Sequence, residues 1–337
     1  MMKRLLYLSA IIALCTSCVH KELCLVHPHL ATLRVEFDWK DAPEADPAGM
    51  CVYFYPLEGG RGQRFDFKGT KGGEVRLRVG KYRVLCYNND TEIVEFYNTD
   101  DFGSHGVYTR EGSVLEPIYG NAATYAPRAE GTEDERVVIC PDMMWGCSSF
   151  EVEVKDTGVR YIHSAFTDDG QQEDRYVEVE DHVIWLYPHE LVCTYTYEVR
   201  NVRNLKHLSQ VCGSISSMSG TLEFSSEEIG KECVTLPFSG ASDGVSKITG
   251  MFYTFGHHLD NPDPHRMAFY VVMDNGEKFC FKDGNYLDVT SQVHEAPDFR
   301  HVHIIIDGLD LPEPMENGSG FDPSVDDWEV VESDIIL

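Results

Sequence analysis

Histidines are the side chains of this chain that could most readily bind a metal ion, since fourteen are present. His301 and His303 lie two positions apart in a strand-like segment, so their imidazoles project from the same face. The simpler interpretation places them on the polar face of a strand whose apolar residues face inward. We adopt it, and the sequence predicts no metal site and no cofactor. Three further histidines occur in the same half of the sequence, namely His257, His258 and His265.

Aspartates could likewise supply oxygen ligands to a calcium ion. Their spacing does not match the calcium loop of an EF-hand, so we interpret them as solvated turn residues. The aspartates concerned are Asp260, Asp263, Asp326 and Asp327.

Catalytic signatures are absent at the positions that come closest to them. His189 and Glu190 begin like a zinc-protease motif, but the fifth position is Cys193 rather than histidine. Residues 213–220 contain four serines without the Gly-x-Ser-x-Gly nucleophile elbow. The sequence therefore predicts a protein that is not an enzyme. A hydrolase that assembles carboxylates from distant strands stays open as a third hypothesis.

The cysteine at position 18 is a candidate for lipid attachment. Two basic residues precede an uncharged apolar run at residues 5–14. A bilayer-spanning helix needs ~20 apolar residues, so this run fits a secretory signal instead. Thr16 and Ser17 before Cys18 resemble the lipobox of bacterial lipoproteins, which implies that residues 1–17 are removed and Cys18 is acylated. An ordinary cleaved signal, or a Cys-x-x-Cys motif with Cys15, are the alternatives.

The net charge of the chain limits the classes of partner that it can bind. It carries 28 basic and 56 acidic residues, a formal net charge of -28. Such a surface repels phosphate backbones and anionic lipid headgroups. We therefore expect no nucleic-acid partner, and we expect any membrane attachment to depend on the lipid. Eleven cysteines at irregular spacing indicate few or no disulfides.

Strand patterns dominate the remainder. Apolar and polar residues alternate through residues 32–39, which is the period of a half-buried strand. Similar segments recur between Gly- and Asn-rich turns, which indicates a β-sandwich or barrel. A polar stretch at residues 167–172 could lie near a domain boundary, and a second strand series begins at Cys193. Brief helices are plausible only at residues 204–211 or 225–229.

The C-terminal segment, residues 313–337, is expected to be an extended tail that carries a terminal strand. Prolines at 312 and 314 forbid regular pairing where it begins. Apolar residues follow at Trp328, Val330 and Val331 and would be costly to leave in water. We predict that the tail pairs along a sheet edge, either of its own domain or of a neighbouring subunit.

Short segments along the whole chain carry a family resemblance. They are HPH at 27–29, FDW at 37–39, GKYRVLCYNND at 80–90, PDMMW at 141–145, LYP at 186–188, FYTFG at 252–256, DVTSQ at 288–292 and GSGFDPSVDDW at 318–328. These segments resemble an uncharacterised lipoprotein family of Bacteroidota, which is itself similar to the minor fimbrial anchor and accessory subunits of the fimbrillin superfamily. The resemblance implies an all-β fold of two tandem transthyretin-like β-sandwich domains, and a role in holding or assembling surface fimbriae.

These observations predict a division of the chain into a signal peptide (1–17), a tether (18–30), an N-terminal β-sandwich domain (31–155), a C-terminal β-sandwich domain (156–312) and the tail (313–337). The leading hypothesis is an outer-membrane lipoprotein that acts as a non-enzymatic anchor or accessory subunit of a fimbria-like assembly. Its partners would be the membrane, through the lipid on Cys18, and pilin-like subunits, through strand pairing. The alternative is a surface glycan-binding lipoprotein whose tryptophans and tyrosines stack on sugars.

Overall fold

The first strand of the fold, Leu30–Phe37, alternates between exposed and buried residues, as expected of a strand at the surface of a sandwich. The structure is a computed structural model that describes residues 30–120, 125–155, 158–166, 172–179, 182–284, 287–313 and 328–331, with side chains omitted at 150, 158–166 and 172–179. Within these ranges almost every regular element is a strand, so the predicted all-β class is confirmed. The transthyretin-like subtype stays a prediction.

The first half of the chain builds two sheets. A three-stranded sheet has the order β12-β1-β4, and a larger sheet has the order β11-β10-β9-β5-β2-β3 with β13 also paired to β9. The strands are β1 (Leu30–Phe37), β2 (Gly49–Pro56), β3 (Gln63–Lys68), β4 (Gly73–Arg78), β5 (Gly80–Asn88), β9 (Trp145–Lys155), β10 (Gly158–Phe166), β11 (Gln172–Val179), β12 (Val183–Leu186) and β13 (His189–Glu190).

Apolar side chains of both sheets form one core, which we call the first sandwich. Leu33 and Val35 of β1 share a buried cluster with Val52 and Phe54 of β2. At β2 even the residues of the opposite face are buried, so the strand shows no alternation of exposure. That second face packs against another part of the chain.

The second half of the chain, together with β8 from the first half, builds two further sheets around one core, which we call the second sandwich. One sheet has the order β18-β19-β14-β22 and the other β23-β21-β20-β15-β17-β8. Tyr195 and Tyr197 pack with Phe238 and Phe269 at its centre. The strands are β8 (Arg136–Val137), β14 (Cys193–Arg203), β15 (Leu208–Ser219), β17 (Cys233–Ser239), β18 (Ala241–Ser242), β19 (Ile248–Thr254), β20 (Met267–Met273), β21 (Lys278–Phe281), β22 (His301–Asp310) and β23 (Glu329–Val331).

A small sheet connects the two sandwiches. It has the order β16-β7-β6, with β6 at Val94–Tyr97, β7 at Gly106–Thr109 and β16 at Thr221–Glu223. Because β16 belongs to the second half of the chain, its antiparallel pairing with β7 joins the halves through backbone hydrogen bonds. We call this sheet, with the aromatic cluster beneath it, the joint.

His105 lies at the centre of the joint and is fully buried. Its ring contacts Tyr53, Tyr55 and Tyr87 of the first sandwich and Phe224 of the second. The Tyr55 hydroxyl lies 2.6 Å from His105 Nδ1. Burial lowers the pKa of His105 to about 4, and the positive charge of Arg64 adds to the effect. The imidazole is therefore neutral at pH 7.

The expected boundary between residues 155 and 156 stays a prediction. Strand β10 pairs with β9, and β12 pairs in parallel with β1, so residues 158–166 and 183–186 belong to sheets of the first sandwich. Strand β13 also pairs with β9, so the sheets of the first sandwich extend to Glu190.

Helices are brief in the described part of the chain. They are α1 (Glu116–Tyr119), α2 (Thr290–His294) and a 3-10 turn at Leu205–His207. The 3-10 turn lies inside the predicted helical region 204–211, but the chain continues from Leu208 as strand β15. No helix forms at residues 225–229, where a helix was also considered plausible. Among the described residues, none of the helices has the length and apolar character that a membrane crossing requires.

Candidate functional site

Residues 328–331 of the tail occupy one edge of the six-stranded sheet. Strand β23 pairs in parallel with β21, matching Phe279 to Glu329, Cys280 to Val330 and Phe281 to Val331. The tail therefore pairs with a sheet of its own chain, which is one of the two alternatives that the sequence left open. Because β23 is outermost, its far side presents backbone groups that no described strand pairs.

One aromatic side chain fixes this strand to the sheet. Trp328 packs edge-on against Tyr270, with ring centroids 5.5 Å apart and an interplanar angle of 82°. Tyr270 is fully buried, and its hydroxyl donates to the Pro127 carbonyl at 2.9 Å. Trp328 itself is half-buried, whereas Glu329 and Val330 are exposed. Among the described residues, the strand is thus held by a three-residue ladder, by the Trp328 ring and by Val331, which packs against the core of the second sandwich.

The edge of the other sheet of the second sandwich is covered. Gln292 of α2 places its carboxamide against the backbone of Ile305 in β22. Its Oε1 accepts from the Ile305 N–H at 2.8 Å, and its Nε2 donates to the Ile305 carbonyl at 2.9 Å. The side chain therefore reproduces the two hydrogen bonds that an added strand would make at this position.

Three other sheet edges are short or charged. Strands β8 and β18 each have two residues, too few to direct a long pairing. Strand β3 alternates in exposure and places Arg64, Asp66 and Lys68 on its exposed side. Short edges and edge charges are common ways in which proteins prevent unwanted pairing. The edge formed by β21 and β23 is the candidate site for adding a strand.

A cleft of about 560 Å³ is lined by residues of both sandwiches and carries exposed aromatic surface. Trp145 and Phe299 line it, and Phe299 is 64% exposed. Arg300 and His189, which also line the cleft, both contact Glu227, at 3.3 Å and 2.7 Å. Although burial raises the pKa of the Glu227 carboxyl, the hydrogen bond from His189 and the charges of His189 and Arg300 lower it overall.

The histidines that the sequence analysis considered fall into two groups. His301 and His303 lie on the exposed face of β22, as predicted. His301 contacts Asp298 at 2.8 Å and Glu190 at 3.2 Å, and His303 Nδ1 lies 2.9 Å from the Thr196 hydroxyl.

The second group comprises His257 and His265, which the fold brings together with His294. His294 was missed because it lies 29 positions beyond His265, in a segment without a helix signal. His258 is not part of this group. Asp260 is exposed, as expected of a turn residue.

Several predicted positions cannot be placed. Cys18, Asp326 and Asp327 lie outside the described residues. Asp263 lies in a loop, where its backbone N–H donates to the side chain of Asn261 at 2.9 Å.

Comparison with known proteins agrees with this architecture. A crystal structure of a candidate adhesin from Bacteroides ovatus is similar with a TM-score of 0.53, 16% identity, and coverage of 92% of this chain and 95% of that one. The fimbrial anchor protein Mfa2 from Porphyromonas gingivalis has a TM-score of 0.44, 15% identity, and coverage of 82% and 91%. At these identities the adhesin shows a shared fold alone.

A sequence relative and a family match complete the comparison. A candidate fimbrium anchoring subunit of Bacteroides ovatus, Fim4B, is 24% identical over 279 residues, covering 81% of this chain and 71% of that protein. The resemblance to fimbrial anchoring proteins that the sequence predicted is therefore confirmed. Residues 17–239 match the family described as domain of unknown function DUF5119. Since that match covers more than half of the chain, the protein belongs to the DUF5119 family.

Proposed function

We propose that this protein is a non-enzymatic anchor or accessory subunit of a fimbria-like surface assembly, held at the outer membrane by a lipid on Cys18. The observation that carries the proposal is the short strand β23 on the edge of β21, which pairs over three residues. The name of Fim4B as a fimbrium anchoring subunit supports the same role.

The sheet edge supplies the means of joining a partner. If β23 leaves, the edge of β21 around Cys280 becomes free to pair, and Tyr270 loses the Trp328 ring that packs against it. A strand from a pilin-like subunit can then take the place of β23. In this mode of recognition the backbone gives affinity, and an apolar pocket for one side chain gives specificity. Strand β23 acts as a placeholder that the partner displaces.

The lipid supplies the attachment to the membrane. Each buried methylene of an acyl chain contributes ~0.8 kcal/mol, and stable anchoring takes more than one chain. The acidic surface gives no attraction to anionic headgroups. Replacing Cys18 by serine should therefore release the protein into the soluble fraction. If Cys18→Ser remains with the outer membrane after washing, the lipid is not the anchor.

A truncation tests the role of the edge. Full-length protein, a variant that lacks residues 328–337, and a control that lacks only residues 332–337 are used to recover partners from detergent-solubilised outer membranes. Removing β23 should increase recovery of an exported, strand-rich subunit, whereas the control should behave as the full-length protein does. Recovery of no such subunit by any of the three would refute the proposed function. Equal recovery by all three would refute the role of this edge.

Glycan binding is a second candidate function, favoured by the cleft that Trp145 and Phe299 line. Exposed aromatic rings with neighbouring polar groups can stack on sugar rings and orient them. Binding on a glycan array that Phe299→Ala abolishes, and that Leu259→Ala leaves intact, would support it. Leu259 is a suitable control because it is 89% exposed and does not line this cleft.

A further inference from the structure

Three histidines from separate segments meet where β19 ends and β20 begins. His257 follows β19, His265 precedes β20, and His294 is the last residue of α2. Each offers a ring nitrogen within 4.8 Å of the other two. The ring centroids are 5.0 Å apart for His257 and His265, 4.7 Å for His257 and His294, and 5.0 Å for His265 and His294.

His265 is oriented as a metal ligand would be. It is fully buried, and its Nδ1 lies 3.2 Å from the Ser216 carbonyl oxygen. A carbonyl can only accept, so Nδ1 carries the proton and Nε2 presents a lone pair. That Nε2 faces His294 Nε2 at 3.0 Å. Metal-binding histidines are commonly fixed by such a hydrogen bond from their other ring nitrogen to a backbone carbonyl.

The backbone around His265 is tied to α2, which carries His294. The His265 N–H donates to the Thr290 hydroxyl at 2.9 Å, and its carbonyl accepts from the Val289 N–H at 2.9 Å. The two histidines are therefore held at a fixed separation by contacts that do not involve their rings.

We propose that His257, His265 and His294 bind one divalent transition-metal ion, with Zn²⁺ the ion that fits best. Imidazole nitrogen suits zinc, copper and nickel, whereas calcium and magnesium require oxygen ligands. A tetrahedral zinc ion with bonds of about 2.0–2.1 Å separates its ligand nitrogens by about 3.3 Å. The 3.0 Å between His265 and His294 is close to that value. Three histidines leave the fourth position for water.

Binding requires one ring to turn. His257 and His294 are stacked with an interplanar angle of 8°, and parallel rings cannot both aim a lone pair at one ion. His294 is exposed, so its ring can rotate without displacing buried side chains. The ion would then connect α2 to the loops of both sheets of the second sandwich. Since α2 also carries Gln292, the same ion would hold closed the edge of β22.

Metal titration of the untagged full-length protein in detergent, after removal of metal with a chelator, tests the proposal. Calorimetry with Zn²⁺ should give one ion per chain, and Co²⁺ should give the visible absorption of a nitrogen-ligated ion. His294→Gln should weaken Zn²⁺ binding at least about tenfold, which is the smallest loss usually seen even for residues that only support a ligand. His303→Gln is the matched control, because His303 is also exposed but lies on β22.

Thermal unfolding provides a second measurement that does not depend on the calorimetry. Zn²⁺ should raise the Tm of the wild-type protein and of His303→Gln but not of His294→Gln. Because His294 is exposed, its replacement should leave a cooperative metal-free unfolding transition, which shows that the variant folds. Absence of stoichiometric binding in the wild-type protein would overturn the proposal. Equal affinity in the two variants would overturn it as well.

Discussion

Replacing Gln292 by alanine tests whether a single side chain keeps the edge of β22 closed. The change removes two hydrogen bonds, of 2.8 and 2.9 Å, to the backbone of Ile305. A hydrogen bond contributes a net ~0.5–1.5 kcal/mol, and water can partly replace these two because the site is exposed. We therefore expect a loss of about 1–2 kcal/mol in the free energy of unfolding. Urea unfolding at 25 °C measures this loss directly.

A second consequence of Gln292→Ala is a free strand edge beside the exposed side chain of Ile305. Free edges promote pairing between molecules, so the variant should self-associate with rising concentration in sedimentation experiments. Gln292→Glu keeps the accepted bond but places a carboxylate oxygen against the Ile305 carbonyl oxygen, so it should also be less stable than the wild-type protein. Ser291→Ala on the same helix is the control and should match the wild-type protein. If Gln292→Ala remains monomeric with unchanged stability, the carboxamide does not protect the edge.

Three further predictions concern the tail and the joint. Trp328→Ala should weaken the attachment of β23 by about 2 kcal/mol, which is more than a ring pair alone contributes and less than the loss of a fully buried ring costs. The tail should then become accessible to protease. Val330→Ala, which changes an exposed residue, should have neither effect. Tyr55→Phe should lower the free energy of unfolding by about 1–3 kcal/mol, because it leaves His105 Nδ1 without its 2.6 Å partner; an unchanged urea midpoint would show that this contact carries no stability. Because burial lowers the folded pKa of His105 to about 4 from 6.5, its contribution is present above pH 6.5 and is lost as the pH falls toward 4. Between pH 7 and pH 5 the wild-type protein should lose about 2 kcal/mol more than His105→Gln, as measured by urea unfolding at both pH values; equal losses would mean that His105 titrates normally.

The sequence predicts strands best where one face is solvated. The alternation in β1 is visible because every second residue of Leu30–Phe37 faces the core. Residues 213–220 are harder, since buried Ser214, Ser216 and Ser217 lie inside strand β15. Ser216 and Ser217 are satisfied by contacts to the Pro264 carbonyl, almost fifty residues away. Small polar residues in a buried strand depend on such partners, which no local pattern shows.

The sequence likewise predicts some parts of the candidate site but not the contacts that complete it. The apolar residues at 328–331 predict a tail strand, but only the fold identifies β21 as its partner. The histidine cluster depends on three segments that become neighbours when β19, β20 and α2 pack together. The role of Gln292 depends on the distance from one side chain to a strand thirteen residues further along the chain. Contacts of this kind are set by tertiary packing rather than by spacing.

In the proposed role, the subunit is fixed to a membrane at one end and pulled at the other, and the joint lies between the two sandwiches. Tension on the edge of β21 would then load the three residue pairs of β7 and β16 and the rings around His105, together with the chain that links β13 to β14. The rupture force of this connection would set the load at which the two sandwiches separate. Acid would lower that load, because protonation of His105 opposes burial of its ring. The joint of such a subunit would then separate at a lower force in acidic surroundings.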